Sequence, residues 1–138
     1  MDDIYQVNII DHYKNPRHFG DLPDFTHKGR GANASCGDMV EMYVKLAGDT
    51  ITDISFKGIG CALSTAAASM LLEKIKDPDF VPITSRTSTG RQKSMVKEIM
   101  AMGEKDMVEM MGIDVSPTRM KCVTLPLRAL QDILKKNT

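Results

Sequence analysis

From Met39 to Leu46 the chain alternates: Val40, Met42, Val44 and Leu46 fall on one side, Glu41, Tyr43 and Lys45 on the other. Ile51 to Gly58 repeats the alternation with Ile54 and Phe56 inward, and Gly48-Asp49 between the two runs provides a turn. This period-two pattern predicts a β-hairpin half buried on one face. A break at Gly58-Ile59-Gly60-Cys61 follows directly, and Ser64 or Thr65 caps a helix that runs to Lys76, where Asp77-Pro78 ends it. Ala66, Ala67, Ala68 and Ser69 give that helix small side chains, which permit a close approach to the sheet. A hairpin covered by a helix is therefore the nucleus of the expected fold.

The flanks are read from the same signals. Ile4, Val7 and Ile10 or Tyr13 stand near helical spacing within Asp2 to Asn15. Pro16 stops that helix, because the residue before a proline is pushed out of the α region. The glycines and prolines of Arg17 to Gly31 read as loop, and so does the Ser- and Thr-rich stretch from Val81 to Gly90. Ser94 to Met102 and Glu104 to Met111 read as two short helices whose methionines are adaptable packing. Leu127, Leu130, Ile133 and Leu134 form the apolar stripe of a last helix. Ser116-Pro117 looks like a capped start, yet Pro126 argues that this helix begins close to Cys122 or Val123. No internal repeat or long linker divides the chain, so residues 1–138 are expected to form one domain.

Composition excludes whole classes of function. Of 138 residues, 42% are hydrophobic and 26% charged, as in an ordinary globular domain. The 18 basic and 18 acidic residues cancel, which leaves no electrostatic footprint for nucleic acid and no polybasic patch for a membrane surface. No apolar run is long enough to span a bilayer. Met1-Asp2-Asp3 is acidic where a secretory leader is basic, so the expected home is the cytosol.

Three cysteines are too few for a secreted disulfide framework. In a reducing compartment a cysteine is first a metal ligand, a nucleophile or a small core residue. Here each sits at a break: Cys36 before the hairpin, Cys61 before the small-residue helix, Cys122 at the inferred start of the last helix. Two of them are thus expected at helix N-termini, where free amides and the macrodipole favour a thiolate. Gly37, Gly58 and Gly60 let the backbone approach a bulky group. Asp38, two residues beyond Cys36, adds an anionic oxygen, and three thiolates with one carboxylate make a tetrahedral set suited to zinc or to sulfide-bridged iron. Lys121 and Arg119 are candidates to offset the resulting negative charge.

Asn15-Pro16-Arg17, Cys36-Gly37-Asp38, Gly60-Cys61 followed by Ser64 and a small-residue helix, and Lys121-Cys122 occur in order. Together they resemble the U-type iron–sulfur scaffold family (IscU, SufU and the N-terminal part of NifU), from about Tyr5 to about Leu134. The resemblance implies an α+β fold: a small antiparallel sheet of about three strands packed against several helices, with a metal site at one exposed end. It implies that Cys36, Asp38, Cys61 and Cys122 form that site. In the cluster-scaffold branch a histidine precedes the last cysteine and a Leu-Pro-Pro-Val-Lys segment recruits a chaperone. Here Lys121 holds the first position, and Val115-Ser116-Pro117-Thr118-Arg119 replaces the second. Lys121, with an insertion at about Pro78 to Met95, resembles the SufU branch, whose members bind zinc and accept sulfur from a cysteine desulfurase. Pro126 departs from the alanine-like residue typical of the family.

The function so implied is iron–sulfur cluster biogenesis, as a zinc-bound persulfide acceptor. Cys36 is the expected acceptor, with Cys122 as runner-up. Asp38 is the weakest ligand for zinc and the natural one to exchange. The partners are a cysteine desulfurase and a downstream iron–sulfur acceptor or scaffold. Two other readings compete: a scaffold assembling a [2Fe–2S] cluster on the same ligands, and a purely structural zinc site. Structural zinc sites favour four Cys or His ligands, which counts against the last.

Overall fold

A computed structural model describes residues 2–33, 37–47, 50–76 and 99–136. Helix α1 (Asp2–Lys14) leads into strands β1 (His27–Asn33), β2 (Asp38–Ala47) and β3 (Thr50–Ile59), followed by helices α2 (Ala62–Lys76), α3 (Glu104–Met111) and α4 (Pro117–Lys136). The strands form one antiparallel sheet in the order β1-β2-β3. This is the expected α+β architecture.

The alternation in β2 and β3 does what the pattern predicts. Val40, Met42 and Val44 pair with Gly58, Phe56 and Ile54 across the sheet, and directly opposed residues share a face. That face is covered by α2 and α4, whose Ala67, Leu71, Val123, Leu130 and Leu134 are buried against it. Tyr43, on the other face, is buried too, beneath the Phe25 ring 5.7 Å away. The expected turn at Gly48-Asp49 and the helix end at Asp77-Pro78 lie outside the described residues. Beyond Gly58 the second strand runs on through Ile59, and α2 starts two residues before Ser64. The Ser64 hydroxyl instead donates back to the Cys61 carbonyl.

Two expectations need correcting. Residues 27–31 were expected in a loop, but they belong to edge strand β1, which pairs with β2 from His27↔Val44 to Asn33↔Asp38. The glycines that weaken its strand signal are what let it pack. A Cβ on Gly29 would collide with Ile133 Cγ1, and one on Gly31 would meet Ala129 Cβ and Leu125 Cδ1 at 3.1 Å. Glycine inside a strand here marks close approach of its backbone to a helix.

The second correction concerns the last helix, which begins at Pro117 and carries Pro126 in its interior. Pro117 suits a first helical position, where its missing amide costs nothing, and the Ser116 carbonyl takes the amides of Arg119 and Met120. Pro126 has no amide to give the Cys122 carbonyl one turn earlier. The apolar stripe from Val123 to Leu134 outweighs that loss by burial against the sheet.

Helix α3 matches its predicted bounds. Gly103 receives its N-terminal contact from Asp106, whose carboxylate accepts the Gly103 amide at 2.9 Å. Gly112, in the left-handed region, closes its C-terminus. Met107 and Met111 are buried, so those methionines are core. Of the helix expected over Ser94 to Met102, residues 99–101 are helical and 94–98 lie outside the described residues.

Candidate metal centre

The site lies where the apolar face of the sheet runs out. Counting in steps of two, that face carries Gly29, Gly31 and Asn33 on β1, Val44, Met42, Val40 and Asp38 on β2, and Ile54, Phe56 and Gly58 on β3, with Gly60 just beyond. The same parity that buries Val40 turns Asp38 inward, and it is 2% exposed. Gly60 leaves room for this carboxylate. A Cβ there would lie 2.9 Å from Asp38 Oδ1 and collide with Ser64 Oγ.

Asp38 is held by the chain it faces. Its Oδ1 accepts the Cys61 backbone amide at 2.8 Å, and its Oδ2 lies 3.8 Å from Cys61 Sγ. Cys61 immediately precedes α2, and its carbonyl accepts the Thr65 amide, so it stands at the positive helix N-terminus as expected. Cys122 does not. With α4 starting at Pro117, this cysteine sits in the helix body, fully buried, with no N-terminal amides to favour a thiolate. What it faces is Asn33 Nδ2, 3.9 Å from its sulfur.

One donor atom each from Asp38, Cys61 and Cys122 lies within 4.8 Å of the others. For zinc with sulfur at about 2.3 Å and carboxylate oxygen at about 2.0 Å, tetrahedral geometry separates ligand atoms by roughly 3.5–3.8 Å. The 3.8 Å between Cys61 Sγ and Asp38 Oδ2 is a few tenths of an ångström wider than the roughly 3.5 Å these lengths give a sulfur–oxygen pair. Two soft sulfurs and a hard oxygen suit zinc or iron, while magnesium and calcium take oxygen ligands. Cys61, the partly exposed member, gives the cluster access to solvent.

Three of the four expected ligands are thus brought together. Cys36 lies outside the described residues. Gly37 beside it adopts φ +71°, the left-handed region that glycine enters freely. Lys121 and Arg119 are exposed on α4, and Lys121 lines a groove with Gly103, Glu104, Thr124 and Arg128. Asn15-Pro16-Arg17 joins α1 to α2: Arg17 pairs with Asp11 at 2.5 Å and Glu73 at 3.7 Å, and its amide donates to Ser69 Oγ. Sequence reasoning missed Asn33, although the alternation through Gly29 and Gly31 points it the same way.

A small α+β protein in which two cysteines and a carboxylate that could hold a metal ion meet at one end of the sheet is what these features define. The chain belongs to the family of the NifU-like N-terminal domain, whose model matches residues 4–136. It is 36% identical over 132 residues to the zinc-dependent sulfurtransferase SufU of Bacillus subtilis, covering 95% of this chain and 89% of the relative. It is 32% identical over 143 residues to the iron–sulfur cluster assembly scaffold protein IscU of Streptococcus pyogenes, covering 99% and 86%. Among solved structures it resembles a SufU scaffold protein of Fervidobacterium islandicum, with a TM-score of 0.63, 24% identity and coverage of 92% and 93%. No helix among the described residues is long and apolar enough to cross a membrane.

Proposed function

We propose that this protein works in iron–sulfur cluster biogenesis as a zinc-bound acceptor of sulfur from a cysteine desulfurase. The convergence of Asp38, Cys61 and Cys122 is the observation that carries this reading. Cys36, two residues before Asp38 in the chain, completes the ligand set and is the sulfur acceptor. Its thiolate attacks the outer sulfur of the desulfurase persulfide. A new S–S bond forms on Cys36, the old one breaks, and the desulfurase cysteine leaves as a thiolate. The proton stays on the transferred sulfur, and no external oxidant is needed.

When bound, zinc would keep the cysteines deprotonated at neutral pH and shield them from disulfide formation. Asp38 would be the most weakly held of the residues around zinc, because its carboxylate is the hardest donor in the set, and it already accepts the Cys61 amide. The persulfide then passes to a downstream iron–sulfur acceptor or scaffold protein.

The test has two parts. Protein purified without added metal should carry one zinc per chain and stimulate a cysteine desulfurase. Cys36→Ser should abolish sulfur uptake while keeping the fold, and undiminished stimulation would refute Cys36 as acceptor. The same donor set favours a second reading, a scaffold for a [2Fe–2S] cluster, which the IscU relative also supports. Anaerobic reconstitution with iron and sulfide separates the two: a stable chromophore that transfers to an acceptor protein selects the scaffold.

A further inference from the structure

We propose that Asn33 is a positioning residue of the metal centre: its side-chain amide donates to the sulfur of Cys122 and fixes that sulfur toward the ion. The inference rests on the metal-site reading above. It assigns a role to a residue that is not itself a ligand.

The case begins with β1. Gly29, Gly31 and Asn33 alternate onto the face turned to α4, and their counterparts on the helix step along it: Ile133, then Ala129 with Leu125, then Cys122. The two glycines draw the strand against the helix. The next residue on that face then reaches Cys122 with its side-chain carboxamide. Asn33 is 7% exposed and Cys122 fully buried, so the contact forms out of water, where a buried amide needs a polar partner.

The position also matters. Asn33 is the last residue of β1 and pairs with Asp38, the first of β2, across the connection that carries Cys36. Cys122 is 89 residues from Asn33 in the chain and comes from the body of a helix whose own dipole does little for it. An N–H donor to this sulfur sets the rotamer that faces Asp38. Outer-shell donors of this kind change metal affinity by about 10- to 100-fold when removed.

Zinc affinity by competition with a chromophoric chelator tests the idea without any desulfurase. Asn33→Ala and the similar-sized Asn33→Leu should each bind zinc about tenfold or more weakly than the parent. In the cobalt-substituted protein the sulfur-to-metal charge-transfer band should move to longer wavelength, because a sulfur without its donor is easier to oxidise. A merely structural asparagine would lower the melting temperature of the metal-free protein and leave affinity and spectrum unchanged, which would overturn the proposal. If neither variant folds, the parent decides. With spin-active cadmium in the site, NMR should detect a scalar coupling from the metal to the Asn33 side-chain amide, and its absence would refute the contact. A parent that binds no ion through sulfur would sink the metal-site reading instead, so the two failures are distinguishable.

Discussion

Two halves of the molecule bring candidate metal-binding side chains to one point by different means. On one side, β2, β3 and the start of α2 supply Asp38 and Cys61, which are 23 residues apart, placed by the β2–β3 ladder and tied by a hydrogen bond from the Cys61 amide to the Asp38 carboxylate. On the other, α4 supplies Cys122 and β1 the Asn33 amide that faces it, 89 residues apart in the chain, and what joins them is packing of a glycine edge strand on a helix. A ladder of backbone hydrogen bonds sets register to within one residue. Side-chain packing sets it only as well as the shapes fit. The geometry of Asp38 and Cys61 should therefore survive perturbations that displace Cys122.

The largest effect should come from the core that holds α4 down. Leu130 is fully buried, and Leu130→Ala should cost about 2–5 kcal/mol in denaturant unfolding. The comparison is sharpened by reading metal affinity on the folded variant. Loss of zinc affinity well before unfolding would show that Cys122 depends on α4 packing. An unchanged affinity would mean the two halves are equally well fixed.

Next in size is the strand–helix contact. Gly29→Ala should destabilise by about 1–3 kcal/mol, because the new methyl collides with Ile133 Cγ1. Ile133→Ala opens space at that spot, so in the double variant the two costs should add to less than their sum, with a coupling of about 1 kcal/mol or more. Strict additivity would show that β1 does not depend on this close approach.

These two halves also differ in how much of them the sequence reveals. The hairpin is visible because Val40, Met42 and Val44 alternate against Ile54 and Phe56, and hydrophobic periodicity reports a buried face directly. Spacing and resemblance mark Asp38 as a candidate ligand, and its burial follows from parity alone. Strand β1 is invisible to the same method, since the residues facing the helix are glycines and carry no hydrophobic signal. Its evidence lies in Ile133 and Ala129, about a hundred residues away, and no local window can connect them. The early start of α4 was hidden because Pro126 is a strong local breaker, whereas the burial that overrides it is tertiary. So the placement of Cys122 in mid-helix could not be read from the chain, although the resemblance does group it with Asp38 and Cys61, which it lies near.

A subtler perturbation leaves both halves of the site alone and acts on the junction of α1 with α2. His12 is buried there, its Nδ1 2.7 Å from Ser69 Oγ and its Nε2 3.8 Å from Glu73. Ser69 Oγ also accepts the Arg17 amide at 2.8 Å, so one hydroxyl ties His12 and Arg17 to α2. Burial, then the nearby Arg17 charge, hold the His12 pKa below the usual value of 6.5, against the pull of Glu73 and Asp11. A folded-state pKa below the unfolded one means that the unfolded chain binds more protons in the window between them. Stability is then fully present above about pH 6.5 and falls as the pH drops through the lowered value. His12→Gln should flatten that part of the curve, and zinc affinity at pH 7 should stay at the parent value, since the ligand-bearing strands are anchored elsewhere. Asp11, held low chiefly by Arg17, titrates at more acid pH and does not mimic the effect. A parent whose stability is flat between pH 7 and 5 would overturn the assignment. A His12→Gln variant that loses zinc would show instead that the α1 junction and the metal end are coupled through α2, which packs on α1 and begins directly after Cys61.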